Sequence, residues 1–280
     1  MFDKSSLKKI KLVVFDLDGT ILDNRGTISS RTVALIEKLQ SKGVQFTFAS
    51  GRIHSALTGY AKILNISIPV ISLDGCCISN PSNNEIIFES FVPAKYINKA
   101  LKYADKFLLN IALCLTEAVY ITESNSVMKE IANKFGARFE EIDDYNKVKN
   151  KTLEILFASD YKDNIKFVKD KLSFPYSLGL SISYYKSHRQ EGIYYLEIRK
   201  RGANKGKALR KLLRKLSIKE KQVAVIGDWF NDISLFNTNA LKVTLQNGIF
   251  ELKSIADIVI PKTNDEEGVA EFLDMLLKVK

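Results

Sequence analysis

The chain opens with an alternation of apolar runs and apolar stripes. Residues 11–16 (KLVVFD) form an apolar run that ends on aspartate, the pattern of a buried strand. Next, Val33, Ile36 and Leu39 recur at helical spacing behind Ser29 and Ser30, either of which can cap a helix, and Gly43 suits its end. The run VQFTFA (44–49) predicts a second strand that stops at Ser50. Residues 55–64 predict a second helix, and PVISL (69–73) a third strand that stops at Asp74 and Gly75. Strands and helices in this order predict a parallel sheet with helices on both faces.

The rhythm changes at the polar stretch NPSNN (80–84), which reads as a domain boundary. Beyond it the pattern predicts short strands near 86–91, 112–115, 118–122, 152–158 and 181–185, with helices near 94–107, 127–135 and 163–172. Short neighbouring strands joined by tight turns predict antiparallel pairing. SHRQEG (187–192) reads as a second linker, after which the first rhythm returns. A strand at 194–199 precedes a basic helix, in which Leu209, Leu212, Leu213 and Leu216 share one face. An apolar strand at 222–226 then ends in Gly227 and Asp228, and strands at 241–245 and 257–260 precede a last helix at 268–277. The expected fold class is α/β: a Rossmann-like parallel-sheet core, residues 1–82 and 188–280, with an α+β cap domain, residues 83–187, inserted into it.

Composition narrows the classes of function. With 280 residues, 46% of them hydrophobic, the chain can bury a real core. No apolar run approaches the roughly 20 residues that span a bilayer. The short N-terminal run ends in aspartate and lacks the form of a signal peptide, so the cytoplasm is the expected location and no membrane partner is expected. Cys76, Cys77 and Cys114 are odd in number and lack C-x-x-C spacing, so they read as buried small hydrophobes. Two histidines, His54 and His188, leave little material for a histidine-built zinc site or a Ser-His-Asp triad. The net charge of +10 suits acidic partners. Its densest segment, 205–221, carries a leucine face and reads as a helix with a solvated basic side, so nucleic acid is not the expected partner.

In an open parallel sheet, ligands bind beyond the carboxyl ends of the strands. Four predicted strand ends carry polar groups: Asp16/Asp18, Ser50-Gly51-Arg52, Asp74 and Asp228. Two of them, DLDGT (16–20) and GDWFND (227–232), each concentrate two carboxylates. Clustered carboxylates in a dry cleft need a cation, and their oxygen ligands suit Mg²⁺. No P-loop and no G-x-G-x-x-G is present, which disfavours an ATPase or a dinucleotide enzyme.

DLDGT after an apolar strand resembles the nucleophile motif of the haloacid dehalogenase superfamily. Ser50 in FASGR, Lys205 in ANKGKAL and GDWFND follow in that family's order. The insertion between the second and third motifs, and the tail 254–273, resemble the Cof-type (class IIB) sugar-phosphatase branch. The resemblance implies a Mg²⁺-dependent phosphatase acting on a small phosphorylated metabolite through an aspartyl-phosphate intermediate. Asp16 would be the nucleophile and Asp18 the general acid and base. Ser50, Gly51, Lys205 and Asn231 would bind phosphate. The metal would sit on Asp16, Asp228 and the backbone carbonyl of Asp18, with Asp232, and also Asn231, supporting metal-bound water or neighbouring groups. Four ionised aspartates carry about −4, Mg²⁺ and Lys205 return about +3, and a proton on Asp18 nearly neutralises the rest.

Several positions depart from the family pattern. Trp229-Phe230 replaces small or polar residues and is expected to pack under the cap or touch substrate. Asp74-Gly75 stands where Asn-Gly is common, and Gln246 precedes Asn247 where a glycine is usual. Arg52, Asp74, His188 and Asn247 are candidate substrate or cap contacts. Arg52 fits an ion pair between domains equally well, and Asp23 has no assigned role. A phosphomutase shares the same motifs, and a basic nucleic-acid-binding protein could keep the same fold. The chain is expected to be a monomer or a homodimer.

Overall fold

The computed structural model describes residues 5–122, 136–186 and 192–280. They form two compact units, one made of Met1–Gly51, Leu57–Ile87 and Asn204–Lys280, the other of Arg52–Ala56 and Phe88–Ala203.

The first unit is built on a parallel sheet. Its strands are β1 (Leu12–Phe15), β2 (Gln45–Phe48), β12 (Val223–Ile226), β13 (Leu241–Leu245) and β14 (Ile258–Ile260), in the order β14-β13-β12-β1-β2. β1 and β12 are buried along their whole length, as a strand covered on both faces must be. Val13 and Phe15, Phe46 and Phe48, Ala224 and Ile226, and Val243 and Leu245 join one core cluster with the helices Ser30–Ser41 and Gly268–Leu277. Phe15 stacks on Phe46 with ring centroids 5.8 Å apart. The first of these helices starts where its serines allow: the Ser29 hydroxyl accepts from the Thr32 backbone N–H at 3.1 Å.

Register positions the chemistry. Phe15 is level with Phe48 on one side and Ile226 on the other, so the chain leaves all three strands at one height. Asp16 N–H donates to the Ile226 carbonyl (2.9 Å) and Ala49 N–H to the Phe15 carbonyl (2.8 Å). Beyond β2, a short sheet of β3 (Val70–Ser72), β4 (Cys77–Ser79) and β5 (Ile86–Glu89) is joined through an Ala49–Ile71 bridge.

The basic helix, Lys205–Leu216, buries Leu209, Leu212 and Leu213 and keeps Lys207, Arg210, Lys211, Arg214 and Lys215 on the solvent side. Arg210 pairs with Glu220 at 3.0 Å. The helix start runs close to the short helix Ile233–Phe236. A Cβ on Gly206 would lie 1.9 Å from the Ser234 carbonyl oxygen. Gly206→Ala is therefore expected to cost about 1–3 kcal/mol, read as a fall in melting temperature, because neither backbone can yield.

The second unit is a six-stranded sheet: β6 (Asn110–Cys114), β7 (Val119–Ile121), β8 (Phe139–Glu141), β9 (Glu154–Ser159), β10 (Leu180–Lys186) and β11 (Tyr194–Lys200), in the order β10-β11-β9-β6-β7-β8. One face packs under the helices Ala94–Phe107 and Lys162–Leu172 through Leu113, Ile155, Phe157, Leu196 and Ile198. All three cysteines are buried and unbonded to one another.

Three expectations are corrected. The strand at 194–199 belongs to the second unit, because β11 lies antiparallel between β10 and β9. The first unit thus resumes at Asn204 rather than 188, and it runs to Ile87 rather than 82. Glu197 and Arg199, alternating with Leu196 and Ile198, are the signature of a one-sided antiparallel strand, and Arg199 pairs with Glu154 directly across from it. NPSNN is a hairpin turn between β4 and β5, closed by Asn80 N–H to the Glu85 carbonyl (2.9 Å). The β7–β8 pair is parallel. The helix expected at 127–135 lies outside the described residues.

Asp23 acquires a role as the hub of a turn. Its carboxylate accepts from the Thr27 N–H (2.8 Å), the Thr27 hydroxyl (2.8 Å) and Arg25 (N–H 3.0 Å), and these bonds hold it down at about 2. No helix among the described residues is long and apolar enough to cross a membrane.

Candidate active site

The carboxyl edge of the parallel sheet gathers the predicted aspartates. Asp16 leaves β1 buried, and its Oδ1 accepts from Lys205 Nζ at 2.6 Å. The same ammonium donates to Asp232 Oδ1 at 2.7 Å and lies 3.9 Å from Asp74 Oδ1. Lys205 stands at the first turn of its helix, capped by the Asn204 side chain accepting from Lys207 N–H (2.8 Å), and is fully buried. A buried lysine needs paired charge, and the carboxylates supply it. Burial alone would lower its pKa, but Asp16, Asp232 and Asp74 outweigh that and hold the ammonium well above its ordinary range.

Asp228 follows β12 and faces the turn after β1. Its Oδ1 accepts from the Thr20 hydroxyl at 2.6 Å. Gly19 makes this approach possible: it has φ +81°, and a Cβ there would fall 2.3 Å from Asp228 Oδ2. The Asp232 carboxylate turns inward. Its Oδ2 accepts from the backbone N–H groups of Asp228 (3.0 Å) and Trp229 (3.2 Å), which shapes the loop after β12.

Oxygens of Asp16, Asp228 and Asp232 lie within 4.8 Å of one another, all three residues buried. Burial drives the Asp16 carboxyl well above its ordinary range; Lys205 opposes this, while Asp232 and Asp228 add to it. Burial likewise pushes Asp228 up to about 7, with repulsion from Asp232 added and the Thr20 hydroxyl and Lys205 working against it. The cluster is short of positive charge, and its all-oxygen donor set fits a hard divalent cation.

Asp232, expected in a supporting place, converges with Asp16 and Asp228, and the Asp18 side chain stands exposed on the turn. Both Asp232 oxygens are engaged, one by Lys205 and one by backbone, so it orients its neighbours more readily than it accepts a cation.

The remaining predicted residues divide. Ser50, buried beyond β2, is fixed by its N–H to the Ile71 carbonyl (3.0 Å) and its carbonyl to Asp74 N–H (2.9 Å). Gly51 has space for a Cβ 3.4 Å from Asp74 Oδ1. Asp74, in the left-handed region at φ 50°, accepts from Asn231 Nδ2 at 2.9 Å, so this departure from the common pattern is tied to the GDWFND loop. Asn247 Nδ2 donates to the Gly19 carbonyl (2.7 Å), and its Oδ1 accepts from Asn264 N–H (3.1 Å), which braces the turn after Asp16 from behind. Arg52 groups with the second unit. His188 lies outside the described residues.

Sequence reasoning missed Thr20 and Asn264. The DLDGT motif assigns Thr20 no role of its own, yet its hydroxyl holds Asp228. Its place directly after Asp-x-Asp-Gly was the available signal. Asn264 donates to the Leu22 carbonyl across 242 positions, and nothing in its surroundings marks it.

The chain is similar to proteins that carry the name phosphatase and to a solved hydrolase structure. A putative phosphatase of Mycoplasma genitalium is 25% identical over 283 residues, 96% of this chain and 99% of that protein. Phosphatase YwpJ of Bacillus subtilis is 25% identical over 290 residues, 96% of this chain and 100% of its own length. The crystal structure of a haloacid dehalogenase-like hydrolase from Bacteroides thetaiotaomicron superposes with a TM-score of 0.84 at 26% identity, covering 95% of this chain and 98% of that one. The pattern of the haloacid dehalogenase-like hydrolases matches residues 13–273. A match of that extent, on a sheet whose carboxyl edge carries the family's motifs in their order, means that the chain belongs to the haloacid dehalogenase-like hydrolases.

Proposed function

We propose that this chain is a phosphatase that hydrolyses small phosphomonoesters, sugar phosphates and related metabolites first among them, through a phosphoryl intermediate on Asp16. The observation that carries this reading is the setting of Asp16. Its Oδ1 is tied to Lys205 at 2.6 Å, and its carboxylate converges with those of Asp228 and Asp232 at the carboxyl edge of the sheet. The carboxylate is thus oriented by a fixed cation at the place where a phosphate would enter. The curated relatives carry the name phosphatase, which supports the same reaction class.

In the first step Asp16 attacks phosphorus and the bond to the alcohol oxygen breaks. Asp18, exposed at the turn, gives that oxygen its proton. In the second step water attacks the same phosphorus, Asp18 takes its proton, and the bond to Asp16 breaks to release phosphate. Lys205, charged throughout, and the Ser50 hydroxyl oppose the negative charge of the phosphoryl oxygens. Asp16, Asp228 and the carbonyl of Asp18 would hold Mg²⁺, which supplies the positive charge that keeps the carboxylates ionised and admits a phosphate dianion.

The test is a phosphate-release screen over many phosphorylated metabolites, with the Asp16→Asn variant as the blank. Equal release by both proteins sinks the proposal. Chelation is expected to lower release at least about 100-fold, with recovery on adding Mg²⁺. Independently of activity, Mg²⁺ at 100 times its Kd should stabilise the stripped protein by about 2.7 kcal/mol, read as a higher melting temperature. Full activity and an unchanged melt in stripped protein would remove the cation from the site.

A further inference from the structure

The turn after β3 leaves ordinary backbone at three successive residues. Leu73, Asp74 and Gly75 have φ of 46°, 50° and 94°. The left-handed region is costly for residues with a Cβ, and that cost persists where the surroundings hold a functional geometry in place. Here the bracing is well defined. Asp74 N–H donates to the Ser50 carbonyl at 2.9 Å, and Cys76 N–H to the Leu73 carbonyl at 3.0 Å. Gly75 presses on the start of the Lys205 helix, where a Cβ would lie 2.4 Å from the Asn204 carbonyl oxygen. One atom, Asp74 Oδ1, is thereby set 2.9 Å from Asn231 Nδ2 and 3.9 Å from Lys205 Nζ. These are two of the groups that the family resemblance assigns to phosphate. The Asn231 amide bears the mark of the contact. Its nitrogen, the end that a phosphate oxygen needs, faces the carboxylate. Its Oδ1 is buried and accepts no hydrogen bond among the described residues. An ionised carboxylate only accepts, so it holds the amide this way round.

We propose that Asp74 is a positioning residue that competes with phosphate for Lys205 and Asn231, and so keeps the site's hold on phosphate weak. The proposal rests on the phosphatase reading and deepens it. Orthophosphate is the last product of the hydrolysis, and it binds the same groups as the ester. A fixed carboxylate beside those groups repels the phosphate dianion and offsets part of the ammonium charge. Turnover gains when the product leaves readily. An asparagine, the common residue at this place in the family, carries no charge with which to do this.

Asp74→Asn is the informative change. It keeps the shape of the side chain and removes the charge, and asparagine is among the residues most at ease in left-handed backbone, so the fold should hold. The probe is orthophosphate. Its affinity is read as an inhibition constant against an aryl phosphate and, without turnover, from the rise in melting temperature that it causes. Both readouts should show binding tightened about 3- to 10-fold in Asp74→Asn. A merely structural role for Asp74 gives no gain in affinity. Asn231→Ala tests the amide. It should change orthophosphate affinity less than about 2-fold where Asp74 is present, and weaken it about 3- to 10-fold in the Asp74→Asn background. Unchanged or weaker orthophosphate binding in Asp74→Asn overturns the proposal. An Asn231→Ala effect of equal size in both backgrounds also overturns it, because Asp74 would then not be holding the amide. If no phosphoester is hydrolysed while the melting temperatures follow the expected pattern, the phosphatase reading fails and the role of Asp74 stands.

Discussion

Asp16→Asn is expected to lower phosphate release by roughly 10⁵-fold while the protein stays folded. The change keeps the shape of the side chain, and the amide oxygen can still accept from Lys205 Nζ, the bond now made by Oδ1 at 2.6 Å. What it removes is the charge that attacks phosphorus and the possibility of an acyl phosphate. The fold should tolerate this. The Asp16 carboxyl is driven well above its ordinary range by burial and by Asp232 and Asp228, so its charge is carried at a cost when no cation offsets it. The melting temperature of the metal-stripped variant should therefore stay within a few degrees of stripped wild type. A direct assay of the intermediate separates Asp16 from its neighbours. Wild-type protein quenched in acid during turnover of a radiolabelled phosphomonoester should retain label that hydroxylamine releases, as an acyl phosphate does, and the Asp16→Asn variant should retain none. Label of the same lability in both proteins would place the nucleophile elsewhere, and Asp18 would be the first residue to examine.

The features legible in the sequence were those that local pattern encodes. β1 and β12 were readable because a strand buried on both faces is an uninterrupted apolar run, and such a run ending in Asp-x-Asp or Gly-Asp marks a carboxyl edge. Lys205 was readable as a site residue from the motif, yet the same residue begins a helix whose other cations face water, and periodicity alone places it with them. What stayed hidden depends on partners far away in the chain. The Thr20 hydroxyl meets Asp228 across 208 positions, and Asn231 meets Asp74 across 157. The boundaries of the inserted unit were misplaced for a related reason. A polar Pro/Asn/Ser stretch has one composition whether it links domains or turns a hairpin, and at 80–84 it turns a hairpin. β11 reads as a strand in isolation, but only its partners β10 and β9 decide which sheet it joins.

Lys205→Met is expected to be the most destabilising change at the site and to damage turnover severely, though less than loss of the nucleophile. The side chain is fully buried, and methionine approximates its length, so the lost interaction is charge rather than packing. Without the ammonium, Asp16 and Asp232 lose donors at 2.6 and 2.7 Å, and Asp74 loses a cation at 3.9 Å. Breaking a buried ion pair from one side typically costs about 3–5 kcal/mol, because the remaining charges keep their desolvation penalty. At roughly 2–4 °C per kcal/mol for a chain of this class, the melting temperature should fall by about 10 °C. Release of phosphate should fall roughly 10³-fold, since a fixed cation beside the phosphoryl oxygens is lost. The loss of stability should also depend on pH in a definite sense. Asp16 and Asp228 are already raised above the unfolded reference of about 3.9 with Lys205 present, and loss of the cation that opposes this raises them further. A group raised on folding contributes its stability below the unfolded value and loses it as pH rises through the folded one. Asp228 already stands at about 7 with Lys205 present, and loss of the cation pushes it further up. The melting-temperature gap between variant and wild type, both stripped of metal, should therefore be wider at pH 8 than at pH 5. Adding Asp232→Asn to Lys205→Met should return part of the loss, because one stranded charge goes with it, and a double-mutant cycle should show coupling of about 1–3 kcal/mol. A gap independent of pH, or strictly additive variants, would mean that Lys205 does not compensate the buried carboxylates, and the charge balance argued for this site would have to be redrawn around Asp16 and Asp228 alone.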